Sequence, residues 1–321
     1  MSRSSRTLSL QRPGESHWSH ARKQFIKWRF YYLLITPALL YFLIFHYAPM
    51  AGILIAFKDI SPFGGLQGVI DGPWVGFKHF TRFFNSFFFW NVMRNTLEIS
   101  VLKIIFGFPA PIIFALMLNE VTRTAVKRVV QTISYLPHFI SWVVVTGLIT
   151  ALLASNSGLL TGLLNSLTGE SWSFLTNPDH FRGILVSSHV WKTVGWSSII
   201  YLAAIAGIDP HLYEAAAIDG ASRLQMARHI TLPGISFVIV ILFIFEVGHI
   251  LEAGFEQILL LYSPAVYGVS DILDTYVYRE GLIRLQYSFA AAVGLFKAIV
   301  SLILIIGANS LARRLGQPGI W

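Results

Sequence analysis

The sequence predicts an all-α membrane protein with six transmembrane helices, and three observations carry that reading. Of its 321 residues, 55% are hydrophobic and 12% charged, with a mean hydropathy of +0.62, unlike a water-soluble globular chain. Six apolar stretches reach the ~20 residues that a helix needs to cross a hydrocarbon core. Lys and Arg gather in alternate connecting segments, as the positive-inside rule requires.

Residues 1–29 are polar and basic. They read as a cytosolic tail, because the apolar stretch after them is too long for a signal-peptide core. The first span covers about 30–57, with bends expected at Pro37 and Pro49. The second covers about 92–118, broken by Pro109 and Pro111, and the third about 133–154. The fourth runs over about 184–206, the fifth over about 235–261 and the sixth over about 289–311. Fourteen Lys and Arg fall in the tail, in 119–130, in 207–234 and at the C-terminal end, against six in the other connections. Both termini and 207–234 are therefore expected in the cytosol. The outer connections, 59–89, 155–183 and 263–288, are long and aromatic, as in the run RFFNSFFFW, which suits a membrane interface.

Several chemistries are excluded. There is no cysteine, so no disulfide, thiolate metal site or cysteine nucleophile. The ten histidines form no HExxH, and no metal site is expected. Without GxxxxGK[ST] or GxSxG the chain holds no phosphate loop and no nucleophile elbow. No catalytic residues are expected. The net charge of +8 reflects the cytoplasmic-side bias rather than a nucleic-acid partner.

One polar interval, 214–233, stands between two apolar spans: EAAAIDGASRLQMARHITLP. It reads as two short helices meeting at a bend. Ala215, Ala216 and Ala217 favour helix and leave a thin, close-packing surface. Gly220 stops the first helix in a left-handed conformation. Ser222 caps the second, and Pro233 keeps it from running straight into the fifth span.

The intramembrane charges each need a reason. Glu246, His249, Glu252 and Glu256 follow at spacings of three, three and four. On a continuous helix they occupy one face about 120° wide, turned toward water or a partner helix. Lys297, in the sixth span, is expected at the depth of Glu246 and to pair with it. Lys103 lies in the second span, where Glu98, five residues earlier, is off its helix face. His138 and His189 stand alone. A secondary transporter driven by an ion gradient through these charges is the alternative reading. It would need no cytosolic knob, and the inverted repeats usual for that class are absent.

Glu214, Ala215, Ala216, Gly220, Ala221, Ile230, Leu232 and Pro233 resemble, position for position, the EAA coupling loop of permease subunits in binding-protein-dependent ABC importers. PWVGFKHFTRFF, VQTISYLPHFISWVVV, AAIAGIDPHLYEAAAIDGASR and LARRLGQPGIW are similar to the oligo- and polysaccharide branch, which includes lipoprotein-associated polysaccharide permeases and an alginate importer subunit. The likeness covers nearly all of 29–321. It implies a type I importer fold in the cytoplasmic (inner) membrane, with loop 207–234 gripped by an ATPase. It also implies a second, homologous permease, two ATPase subunits and an external solute-binding protein. The cargo implied is an oligo- or polysaccharide, an acidic one such as alginate included. No cofactor is implied in this chain, since ATP and Mg would sit on the ATPases. Trp142, Trp191 and Trp196 are then membrane-belt residues or stacking platforms for sugar.

Overall fold

The computed structural model describes residues 24–155, 157–316 and 319–320, so most of the expected tail, 1–29, lies outside the described residues. Among the described residues every regular element is helical, and β pairing is confined to one bridge between Lys58 and Trp74. Two units are distinguished, Met1–Leu54 and Ile55–Trp321.

The first unit carries α1 (Arg29–Phe42), which has no buried residue, as suits a helix that is apolar all round and faces lipid. Pro37 is tolerated inside it. A π turn, Leu43–Tyr47, precedes Pro49. Proline lacks the N–H and crowds the carbonyl four residues back, so the hydrogen-bond ladder shifts there.

In the second unit, α2 (Gly65–Asp71) and α3 (Lys78–Phe84) precede a long apolar rod. The rod is α4 (Phe89–Gly107) followed by α5 (Pro109–Asn119). Pro109 opens α5 at its first position, where the missing N–H has no cost. The expected third span is not one straight helix: α6 (Thr124–Phe139) is bent by 101° from α7 (Trp142–Leu153). Ile140 and Ser141 are extended, and Ser141 caps α7. After α8 (Leu159–Thr168) comes α9 (Pro178–Ala206), 29 residues long and packed on α4, α5 and α6. From α9, Lys192 Nζ donates to the carbonyls of Pro137, His138 and Ile140 at 3.2, 2.8 and 2.5 Å, pinning the α6–α7 corner.

Next come α10 (Pro210–Ile218) and α11 (Arg223–Met226), a π turn at Ala227–Thr231, and the turn Leu232–Gly234. The chain then bends by 64° into α12 (Ser236–Gly248). The expected fifth span is also interrupted. The chain leaves the helix after Gly248, turns through 249–254 with Gly254 at φ 95°, and resumes as α13 (Phe255–Leu261). Lastly, α14 (Leu273–Val277), a π turn at Tyr278–Ile283 and α15 (Tyr287–Arg314) complete the chain. The expected outer connection 263–288 is a packed layer in which Ser270, Asp271, Leu273, Thr275 and Glu280 are buried.

Among the described residues, three helices are long and apolar enough to cross a membrane: Arg29–Phe57, Phe89–Asn119 and Tyr287–Arg314. The two bent pairs bring the number to five if each is one span. α9 is long enough, at about 1.5 Å per residue, but carries Lys192 and Ser198, both buried against protein. Polar groups at membrane depth are tolerated in that way. The core lies in three clusters, centred on Phe83, Val92 and Phe289, on Ile99, Phe181 and Ile258, and on Ala115, Tyr201 and Ile235.

Candidate functional site

The polar interval folds as a closed helical hairpin. Asp209 caps α10 by accepting from His211 N at 3.0 Å, with Pro210 at the first position. Gly220 takes φ 78°. Its N–H donates to Ala217 O at 3.1 Å, and Ala221 N–H donates to Ala216 O at 2.9 Å. These are the two bonds of a Schellman C-cap, which needs a left-handed residue at the glycine position. Ser222 and Gln225 then form a reciprocal capping box. Tyr213 Oη and Thr231 Oγ1 lie 3.0 Å apart and tie the two arms together. Arg223 reaches the carbonyl and carboxylate of Glu120, both at 3.3 Å, and so anchors the hairpin to the end of α5. Glu214 is exposed and lies 3.1 Å from His211 Nδ1. Ile230 and Leu232 are half-buried, while Pro233 is exposed on the way to the bend. At the tip, Ile218 is 87% and Leu224 80% exposed, which leaves two apolar side chains unpacked.

A cleft of about 600 Å³ opens between α5, α9 and α12, lined by His189, Trp196, Tyr201, Phe245 and Glu246 among others. Trp196 stacks on His138, with ring centroids 4.6 Å apart and 5° between planes. A smaller cavity of about 60 Å³ shares His189 and Glu246 and is bordered by Lys103, His249, Glu252 and Gly254.

Glu246, His249 and Glu252 therefore meet around one cavity, but not as a stripe on one helix. Glu246 lies in the last turn of α12, His249 Nδ1 donates to Phe245 O at 2.7 Å, and Glu252 lies in the non-helical turn. Glu256 stands apart, in the first turn of α13. The expected Lys297–Glu246 pair is not formed. Lys297 Nζ bonds the Asp274 carboxylate at 2.7 and 3.0 Å, with Glu252 at 3.9 Å. The lysine beside the cavity is Lys103, whose Nζ donates to Ala253 O at 2.7 Å and Gln257 Oε1 at 2.6 Å. Gln257 in turn donates to Leu185 O and Ser188 Oγ, both at 2.8 Å. Glu98 is held by Arg94 and Arg182. Trp142 packs under Lys192, while Trp191 is half-exposed.

Residues 107–317 match the family described as the binding-protein-dependent transport system inner membrane component. The chain belongs to that family. Its relatives include protein LplB of Bacillus subtilis (strain 168), 46% identical over 95% of this chain and 94% of the relative. The polygalacturonan/rhamnogalacturonan transport system permease protein YteP of the same organism is 47% identical over 92% and 91%. A subunit in the crystal structure of a bacterial alginate ABC transporter, in complex with alginate pentasaccharide-bound periplasmic protein, matches with a TM-score of 0.85. It is 43% identical over 93% of this chain and 99% of that one. At that likeness this inner-membrane permease shares the importers' fold, and the capped hairpin is part of its matched region.

Proposed function

We propose that this chain is one of two permease subunits of an ATP-driven importer that carries an oligo- or polysaccharide across the cytoplasmic membrane by alternating access. The observation that carries the proposal is the hairpin at 207–234. It is capped at both ends of α10 and at the start of α11, reaches α5 through Arg223, and presents Ile218 and Leu224 to a partner. In this reading an ATPase subunit grips the tip, ATP and Mg stay on that partner, and this chain breaks no covalent bond. The second permease is a different homologous chain, and an external solute-binding protein delivers the sugar.

The six-span topology counts α1, the α4–α5 rod, α6–α7, α9, α12–α13 and α15, with both termini and the hairpin in the cytosol. The Lys and Arg distribution supports that orientation. The cleft beside α9 is the proposed path, with Trp196 offering ring surface to sugar and Glu246, His249 and Glu252 polar contacts. Glu256 and Lys297 border it at most through the turn 249–254. Relatives named for polygalacturonan and alginate support an acidic polysaccharide as cargo.

Reconstitution with the ATPase, partner permease and binding protein tests the proposal. Uptake of an oligosaccharide should require ATP and the binding protein. Uptake that instead follows an ion gradient without ATP would establish the secondary-transporter alternative.

A further inference from the structure

A third place joins charge to aromatic surface and takes no part in the hairpin or the cleft. It lies at the start of α4, whereas the hairpin is anchored at the end of α5, about 45 Å away along a rod rising 1.5 Å per residue. Phe87, Trp90, Arg94, Tyr267, Arg279 and Arg284 line an open pocket of about 810 Å³ there. Phe87 is 92% and Trp90 77% exposed, so two ring faces stand in the open.

Arg94 commits Nε to Glu98 at 2.6 Å, and Arg284 commits one terminal nitrogen to Glu280 at 2.8 Å. Each guanidinium has five N–H donors in a planar fork, which suits a carboxylate. Arg279 is held bidentately by Asp271 at 2.6 and 3.2 Å. Arg182, behind the pocket, bonds Asn95 at 2.8 Å and pairs with Glu98. Four guanidiniums thus face three carboxylates, Glu98, Asp271 and Glu280. Directly after Arg284, Leu285 takes φ 58°, the one positive φ outside glycine among the described residues. Such strain persists only where its surroundings impose it. Here it closes the turn that brings Arg284 back onto buried Glu280, with Gln286 N–H on Glu280 O at 3.1 Å.

We propose that this pocket is a reception site for an acidic saccharide, with a uronate carboxylate on Arg94 and Arg284 and a sugar ring face on Trp90 or Phe87. The proposal rests on the importer reading and deepens it, by naming the place where the acidic sugar first meets the permease and the side chains that receive it.

The absence of cysteine allows a site-specific test, since Asn91→Cys, at an exposed position of the pocket wall outside the proposed contacts, gives this chain a single thiol. Maleimide labelling of that thiol is followed by mass spectrometry, in the full importer in phosphatidylcholine and without the binding protein. Trigalacturonate should slow labelling and maltotriose should not. Replacing Arg94 and Arg284 together by Gln should raise the half-protection concentration about tenfold, or ~1.4 kcal/mol. Trp90→Leu, which leaves every ion pair in place, should raise it in the same direction. Unchanged labelling in the sugar-free double variant verifies that the pocket is folded. Equal protection by both sugars overturns the proposal, as does no protection, or protection by phosphatidylglycerol vesicles without sugar. Stimulation of ATP hydrolysis by the binding protein is measured on the same preparation. If stimulation is present and protection absent, the pocket assignment alone fails; if stimulation is absent, the importer reading fails whatever the labelling shows.

Discussion

Lys297 and Asp274 form an ion pair between α15 and α14, with Nζ 2.7 Å from Oδ1 and side chains only 19% and 22% exposed. Removing either partner leaves a largely buried charge uncompensated. A double-mutant cycle on Asp274→Asn and Lys297→Gln should give a coupling energy of about 1–3 kcal/mol. Glu246→Gln with Lys297→Gln should be additive within about 0.5 kcal/mol. Melting of the purified complex measures both, and strong coupling to Glu246 instead would contradict the pairing.

Gly220 has open space where a Cβ would sit, so the cost of a side chain there is backbone strain alone. For a β-branched residue the left-handed region costs at least ~1–2 kcal/mol, whereas Asn adopts it readily. Gly220→Val should therefore lower co-purification of the ATPase far more than Gly220→Asn, with membrane insertion equal in both. Equal ATPase recovery in the two variants would remove the C-cap from the explanation.

Ile218 and Leu224 form the exposed apolar tip of the hairpin. Ile218→Asp or Leu224→Asp should abolish ATPase binding while leaving the melting temperature of the permease pair within about 2 °C, since neither side chain is packed. A normal ATPase yield would place the docking surface elsewhere.

Gly195 reverses a familiar sign. In a helix interior Gly→Ala ordinarily stabilises by up to ~1 kcal/mol. Here the added Cβ would stand 2.1 Å from Ser134 O, a backbone atom of α6. Gly195→Ala should destabilise by about 1–3 kcal/mol through overpacking, read as a lower melting temperature.

The hairpin was legible because its determinants are local. Gly220, Ser222 and the alanines act within a few residues of one another, and the glycine C-cap and the Ser222 N-cap formed where the spacing put them. The partner of Lys297 was not legible, because equal depth on consecutive spans presumes two uninterrupted helices. α12 instead stops at Gly248, Gly254 turns the chain, and the packed layer at 263–288 supplies Asp274. The 101° corner between α6 and α7 escaped for a related reason. Pro137 marks it weakly, and the group that pins it, Lys192, is more than fifty residues away. Gln257 left one signal, an amide inside an apolar helix, but nothing local names Lys103 as its partner.

Between Asp209 and Thr231, three of the hairpin's four helix ends are capped, the fourth runs on into the π turn, and the arms are joined through Tyr213 and Thr231. A connector so constrained has little slack. In the proposed importer, an ATPase holding the tip would turn it as a crank, and the Arg223–Glu120 contact is where that motion would reach α5. Tightness here would then keep fuel from being consumed with no stroke delivered, and loosening the crank would uncouple the engine before it disturbed any part of the road the cargo takes.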